Sequence, residues 1–366
     1  MVTVQLDKNI FLEKINIASR FVSTKISSLN IIQGVCLKGE NNVLHIYSTN
    51  LNQYYHAVIE AEIKNSFLVV FEPKKVIDFL TLIPKNKINL QIEENKILIT
   101  QDQIKGEFPL YKEKDFPFPP VIDKKDQRLK TDFLKNNLPL VLFATSNDDS
   151  RPVLTGVNFI TSDEEILIVS TDGFRLSLLK TKKDINFPSI IVPANFLSDF
   201  LNLIKNEKEI GFSFSEKEKM IQFKLANDNF YTRIIEGDFP PFEKVIPTQK
   251  NTTIEVDRKE FLRNVRLVSV FSREFSNILV LKIKENKLVF FPKTDGEEKE
   301  ITTQEAKIEG EEIKIAFNLK FLLDLLNHLS SDEIIIEFLR PDSPAVFKEK
   351  NNPNFLHIIM PIRIQE

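Results

Sequence analysis

Catalytic sites are usually assembled from histidines, cysteines, paired carboxylates or glycine-rich phosphate loops, and here those residues are scattered. The four histidines (His45, His56, His328, His357) and the single cysteine, Cys36, form no group at metal-ligand spacing. With nine glycines and no glycine-rich run leading into Lys-Ser or Lys-Thr, there is no cradle for a nucleotide phosphate. Asp148-Asp149 has the chemistry to hold a divalent ion, yet it reads better as a turn before Arg151-Pro152. The acidic run Asp295-Gly296-Glu297-Glu298-Lys299-Glu300 reads as a solvated loop. No metal and no cofactor are expected. The cations are better organised. Lys259, Arg263 and Arg266 fall at i, i+4 and i+7, opposite Phe261, Leu262, Val265 and Val268. One cationic stripe on an amphipathic helix suits sequence-independent contact with phosphates, and it equally suits a helix face in water.

Composition narrows the classes of function. The 366 residues exceed one ordinary domain, and 42% hydrophobic with 28% charged residues is the make-up of a folded globular chain. The net charge is −3, so nucleic acid would have to be met by a local basic lining and not by bulk charge. Neither a basic leader with an apolar run nor a membrane-length apolar stretch is present. Cys36, within Val35-Cys36-Leu37, reads as a buried thiol in a reducing cytoplasm.

The elements that must position any site repeat along the chain. Phe11-Leu12-Glu13-Lys14-Ile15, Phe133-Leu134-Lys135-Asn136-Asn137 and Phe261-Leu262-Arg263-Asn264-Val265 open three similar helices, roughly 120 to 130 residues apart. Asp78-Phe79-Leu80, Asp199-Phe200-Leu201 and Asp324-Leu325-Leu326 mark a second helix in each copy, the last inside an amphipathic run from Ala316 to Leu329. Between the helices lie short alternating segments such as Val43-Leu44-His45-Ile46-Tyr47, Ile166-Leu167-Ile168-Val169 and Ile334-Ile335-Ile336-Glu337, which read as strands. Each copy is therefore α+β, two helices packed on antiparallel sheet. Phe116-Pro117-Phe118-Pro119-Pro120 and Phe239-Pro240-Pro241-Phe242 read as extended connectors, because proline cannot donate to a central ladder. The expected domains are residues 1–121, 122–248 and 249–366.

Four segments remain that neither repeat nor composition explains: Ser170-Thr171-Asp172-Gly173-Phe174-Arg175-Leu176, Gly237 to Pro247, Asp342-Ser343-Pro344-Ala345-Val346 and Met360-Pro361-Ile362-Arg363-Ile364. Taken singly they read as a hairpin turn, a linker, a turn and a closing strand. In this order and spacing, on a threefold plan of this length, the whole chain resembles the bacterial DNA polymerase III beta-subunit family, the sliding clamps.

That resemblance implies three repeated DNA-clamp domains in each protomer and a head-to-tail dimeric ring around duplex DNA. It implies a cleft between the second and third domains where short linear peptides of the replicative polymerase, the clamp loader and repair proteins dock. Carried over by motif, the cleft comprises Leu154, Thr171, Gly173, Phe174, Arg175, Leu176, Pro240, Lys244, Val245, Pro344, Ile358, Met360, Pro361, Ile362 and Arg363. Aliphatic walls would take a Leu and a Phe of the peptide, Met360 would adapt to different partners, and Arg175 and Arg363 would bind peptide carbonyls or an acidic side chain. Two departures from the family pattern are Phe174, where His is usual, and Glu243-Lys244, where basic residues are usual. Matched positions for phosphate contact are Lys25, Lys74 and Lys320 beside Lys259, Arg263 and Arg266, with Asn195 at a place that is commonly basic. Phe108, Val270 and Phe271 are the candidates for the joint between protomers, with core packing as the other explanation. Two further readings stay open: a metal-dependent DNA-processing enzyme, which requires clustered carboxylates in a cleft, and a monomeric peptide-binding scaffold without DNA.

Overall fold

The structure is a computed structural model and describes residues 2–24, 29–112, 115–122, 126–272, 277–293 and 300–363. Lys25, residues 295–299 of the acidic run and the last residue of the Met360 segment lie outside the described residues.

The expected helical openings are helices. They are α1 (Lys8–Ala18), α2 (Pro73–Leu82), α3 (Thr131–Asn137), α4 (Pro139–Leu142), α5 (Ala194–Leu203), α6 (Arg258–Ser272) and α7 (Leu319–His328). Their starts are set locally. The Asp7 carboxylate accepts from the N–H groups of Asn9 and Ile10 ahead of α1, and Asn318 accepts from the N–H of Lys320 ahead of α7. Two details differ from the sequence reading. In the second copy the first helix stops at Asn137 and resumes as the single turn α4, because Pro139 offers no N–H to continue the ladder. The amphipathic run that begins at Ala316 is strand up to Asn318, so Phe317 points into a core from Ile313–Asn318 and not from a helix.

The chain divides into two compact units, residues 1–131 with 202–234 and residues 132–201 with 235–366. The first holds a four-stranded sheet in the order Val2–Asp7, Lys87–Ile92, Lys96–Gln101, Ile104–Pro109. Its larger sheet runs Phe67–Phe71, Val35–Glu40, Val43–Thr49, Gln53–Glu60, Asp228–Arg233, Met220–Leu225, Glu209–Ser215, Gln127–Lys130. A stack of Phe21, Tyr55 and Phe230 fills the core beneath the joint of this sheet. Cys36 is fully buried in a separate cluster with Ile31, Ile32, Val70 and Phe116, and burial pushes its thiol up to about 12, so it packs as a small hydrophobe.

The second unit holds nine strands in the order Ile190–Pro193, Gly156–Thr161, Glu165–Thr171, Arg175–Lys182, Asn352–Ile359, Ala345–Glu349, Glu333–Phe338, Thr252–Asp257, Lys307–Glu309. A second sheet is ordered Thr302–Glu305, Lys287–Pro292, Ile278–Lys284, Ile313–Asn318. Both large sheets therefore cross from one repeat into the next. In the second unit the crossing is the antiparallel ladder that pairs Leu176 with Ile358 and Arg175 with Ile359. This ladder carries the candidate site.

Candidate functional site

The hairpin between Glu165–Thr171 and Arg175–Lys182 is closed by its own side chains. Thr171 Oγ1 donates to the carbonyl of Arg175 at 2.6 Å and accepts from the N–H of Gly173 at 3.0 Å. Asp172 Oδ1 accepts from the N–H groups of Phe174 and Arg175 at 2.9 and 3.0 Å. Gly173 sits at φ +94°, a region that penalises any Cβ, and a Cβ there would come within 3.1 Å of an Arg151 guanidinium nitrogen. The N–H of Met360 donates to the carbonyl of Phe174 at 2.8 Å, fastening the end of the last strand to the turn.

Beside this turn opens a cavity of about 270 Å³. Its floor is Leu176 and Ile358, part of a buried cluster with Val169, Leu178, Phe242 and Val346. Its rim carries apolar groups that face water: Phe174 is 61% exposed, Val245 45% and Met360 37%. Large exposed apolar side chains around a hollow are the surface pattern of a ligand groove and not of a sealed core. Ten of the fifteen expected residues meet there: Leu154, Thr171, Gly173, Phe174, Arg175, Leu176, Pro240, Val245, Ile358 and Met360.

Five do not line this cavity. Lys244 shares a single 3-10 turn, Phe242–Val245, with two residues that do line it, and its own side chain faces solvent. Pro344 and Pro361 are partly buried outside it. Ile362 is drawn away because its N–H bonds the carbonyl of Ala316 at 2.8 Å and its side chain packs on Val280, Val289, Phe291 and Ala316. Ile362 and Arg363 line a different groove, next to Ile313, Lys314 and Arg340.

Arg175 also departs from its expected use. It is 6% exposed, its Nε lies 3.0 Å from Asp172 Oδ2, and its Nη1 lies 2.7 Å from Asp324 Oδ2. The guanidinium lies 4.5 Å from the centroid of Phe321 and 5.8 Å from that of Phe143. With two carboxylates and two rings around it, this cation is engaged within the protein. The cation available at the cavity is Arg151, whose side chain is about half exposed and donates to the carbonyl of Asp172 at 3.3 Å. Arg151, Pro241 and Phe242 line the cavity and were absent from the expected set. The signal was present in Arg151-Pro152 and in Phe239-Pro240-Pro241-Phe242, since proline stiffens both segments.

The cationic helix face is as the periodicity predicts. On α6, Phe261, Val265 and Val268 are buried while Lys259, Arg263 and Arg266 are exposed. Each cation has a partner: Lys259 with Asp332 at 2.9 Å, Arg263 with Glu260 at 2.7 Å, Arg266 with Asn327 at 2.8 Å. Exposed pairs of this kind contribute about 0–1 kcal/mol, so a phosphate can replace the partner at little cost. Lys74 on α2 and Lys320 on α7 are exposed as well. Val270 and Phe271, at the end of α6, are 65% and 52% exposed. Phe108 is different: at 8% exposed it packs edge-on against Phe79 with centroids 5.5 Å apart, so it is core. The exposed apolar side chains of the first unit include Leu82, at 83%, and Ile104, at 40%.

Comparison with known proteins decides the family. Models of the N-terminal, central and C-terminal domains of the DNA polymerase III beta subunit match residues 2–120, 128–241 and 243–363. The chain belongs to the DNA polymerase III beta-subunit family. A beta sliding clamp of Staphylococcus epidermidis is 24% identical over 379 residues, covering 99% of this chain and 100% of its own. One from Staphylococcus aureus is 27% identical over 304 residues, covering 81% of this chain and 80% of its own. The crystal structure of the DNA polymerase III beta chain of Streptococcus pneumoniae superimposes with a TM-score of 0.91 at 25% identity, covering 100% of both chains. At this identity the fold is kept across the whole chain.

Among the described residues no group of three His, Cys, Asp or Glu is arranged to hold a metal ion, and no helix is long and apolar enough to cross a membrane.

Proposed function

We propose that this sliding clamp works as a homodimeric ring that encircles duplex DNA and tethers the replicative polymerase, the clamp loader and repair proteins through short linear peptides. It acts in the cytoplasm as a processivity factor and catalyses nothing itself. The observation that carries the reading is the apolar cavity beside the Thr171–Arg175 turn, rimmed by exposed Phe174, Val245 and Met360. An extended peptide with a Leu and a Phe suits its walls, and the Arg151 guanidinium is placed to meet a carbonyl or a carboxylate of the ligand. The working domains are 1–121, 122–248 and 249–366.

Closure of the ring needs an apolar joint. Val270 and Phe271 on the third repeat supply one side, and Leu82 with Ile104 on the first repeat of the partner supply the other. Lys74, Lys259, Arg263, Arg266 and Lys320 are the proposed phosphate contacts, with Lys25 added from sequence alone. Such contacts are weak and salt-sensitive, and threading of the duplex supplies the persistence that they do not.

The test is retention on nicked circular DNA compared with the same DNA linearised, after loading. Long retention on the circle with rapid loss from free ends is expected, and equal retention on both overturns encirclement. Changing Lys259, Arg263 and Arg266 together to Ala should shorten retention on the circle, and an unchanged lifetime removes them from the lining.

A further inference from the structure

We propose that Asp324 is a positioning residue for peptide capture that acts through Arg175. The inference rests on the reading of the Leu176 cavity as the peptide site. The turn that forms one lip of that cavity is held together locally by Asp172, whose carboxylate bonds the Phe174 and Arg175 N–H groups and the Arg175 Nε. Those bonds span at most three residues and travel with the turn, so they set its shape without tying it to the body of the unit. The turn backbone is tied to the body of the unit by the Met360 N–H on the Phe174 carbonyl and by Arg151 on the Asp172 carbonyl, and the Arg175 side chain is tied to α7 by Asp324, 149 residues away in sequence, whose Oδ2 accepts from Arg175 Nη1 at 2.7 Å.

Asp324 is placed to serve as an anchor. It lies on α7, whose Leu319, Leu322, Leu325 and Leu326 are buried, and Phe321 of the same helix packs on the Arg175 guanidinium at 4.5 Å. A charged pair with one partner at 6% side-chain exposure holds its geometry better than a surface pair. Because Asp172 already neutralises Arg175, the second carboxylate is not needed for charge balance. Its contribution is to place the turn. Without it, the bonds of Thr171, Asp172 and Met360 still shape the turn but the Arg175 side chain loses its hold on α7, so part of the ordering of the lip is left to the moment of peptide binding and affinity weakens without loss of any contact to the ligand.

The experiment uses the full-length protein and a fluorescein-labelled extended peptide carrying a Leu and a Phe, titrated by anisotropy. Asp324→Ala should weaken binding about tenfold, and Asp324→Asn, which keeps an acceptor oxygen in place, should stay within about threefold of the parent. In an Arg175→Met background, Asp324→Ala should cause no further loss, because the anchor has nothing left to hold. Full affinity in Asp324→Ala, equal losses in Ala and Asn, or additive losses in the double variant each overturn the proposal. Should Asp324→Ala fail to fold, the cycle is run with Asp324→Ser, which is too short to reach Arg175, against Arg175→Met, with additivity again the overturning result. Leu176→Asp separates the two readings: if it leaves affinity intact the cavity is not the peptide site, whereas its loss with unaffected Asp324 variants defeats only the anchor.

Discussion

Each unit contains one ladder where a repeat hands its sheet to the next, and the turn beside each is built the same way. In the first unit Thr49 Oγ1 donates to the carbonyl of Gln53 and accepts from the N–H of Leu51, both at 2.8 Å. Asn50 Oδ1 accepts from the N–H groups of Asn52 and Gln53, as Asp172 does for Phe174 and Arg175. The N–H of Arg233 donates to the carbonyl of Asn52 at 2.8 Å, the bond that Met360 makes to Phe174 in the second unit. The backbones agree and the side chains do not. Where the second unit presents Gly173, Phe174, Arg175 and Met360, the first presents Leu51, Asn52, Gln53 and Arg233. Exposed Phe174 and Met360 rim a hollow at one ladder, and Asn52 and Arg233 beside an exposed Leu51 stand at the corresponding places of the other. The repeat supplies a frame twice, and the side chains at these four positions differ between the copies.

The most damaging change should be Leu176→Asp, which puts a carboxylate on the floor of the cavity. Peptide affinity should fall more than about a hundredfold while the mass of the dimer is unchanged, since an unpaired buried charge costs several kcal/mol. Parent-like anisotropy titrations would move the peptide elsewhere. Next, Gly173→Leu copies the first turn into the second. At φ +94° and with Arg151 3.1 Å from the new Cβ, it should weaken peptide binding about tenfold and destabilise by roughly 1–2 kcal/mol in a denaturant melt.

Acid should act on both units through neutral histidines. Burial, with His45 adding, pushes His56 down to about 4, and burial, with Arg175 adding, holds His357 well below the usual histidine range. An unfolded histidine takes up a proton near pH ~6.5. The stability tied to the neutral folded form is therefore complete above that pH and lost as pH falls toward about 4. A melting-temperature series between those limits should decline, and His56→Gln should flatten it by roughly 2–4 °C. The smallest effect is the reverse swap. Leu51 holds φ +73°, so Leu51→Gly should relieve backbone strain and stabilise by up to about 1 kcal/mol with peptide affinity untouched.

Much of this was legible before any coordinates. The six helical markers, the strands between them and the buried faces followed from periodicity, because side-chain period reports secondary structure through local geometry. The α6 stripe of Lys259, Arg263 and Arg266 faces water for the same reason. The cavity was legible only through motif resemblance, which placed Leu176, Ile358 and Met360 together although more than 180 residues separate Leu176 from Ile358. Resemblance did not foresee the backbone bond that turns Ile362 away from the cavity lining, nor that Phe108 packs against Phe79 at 8% exposure.

The sequence by itself determined the repeated helices and strands, the polarity of each face and the chemistry carried by each motif, since these depend on neighbours a few residues away. Tertiary structure alone decided that the Arg175 charge is taken up inside the protein while Arg151 remains available to a ligand. That outcome depends on Asp324, from a helix distant in sequence, arriving within 2.7 Å, and only the packing of the whole unit sets that distance.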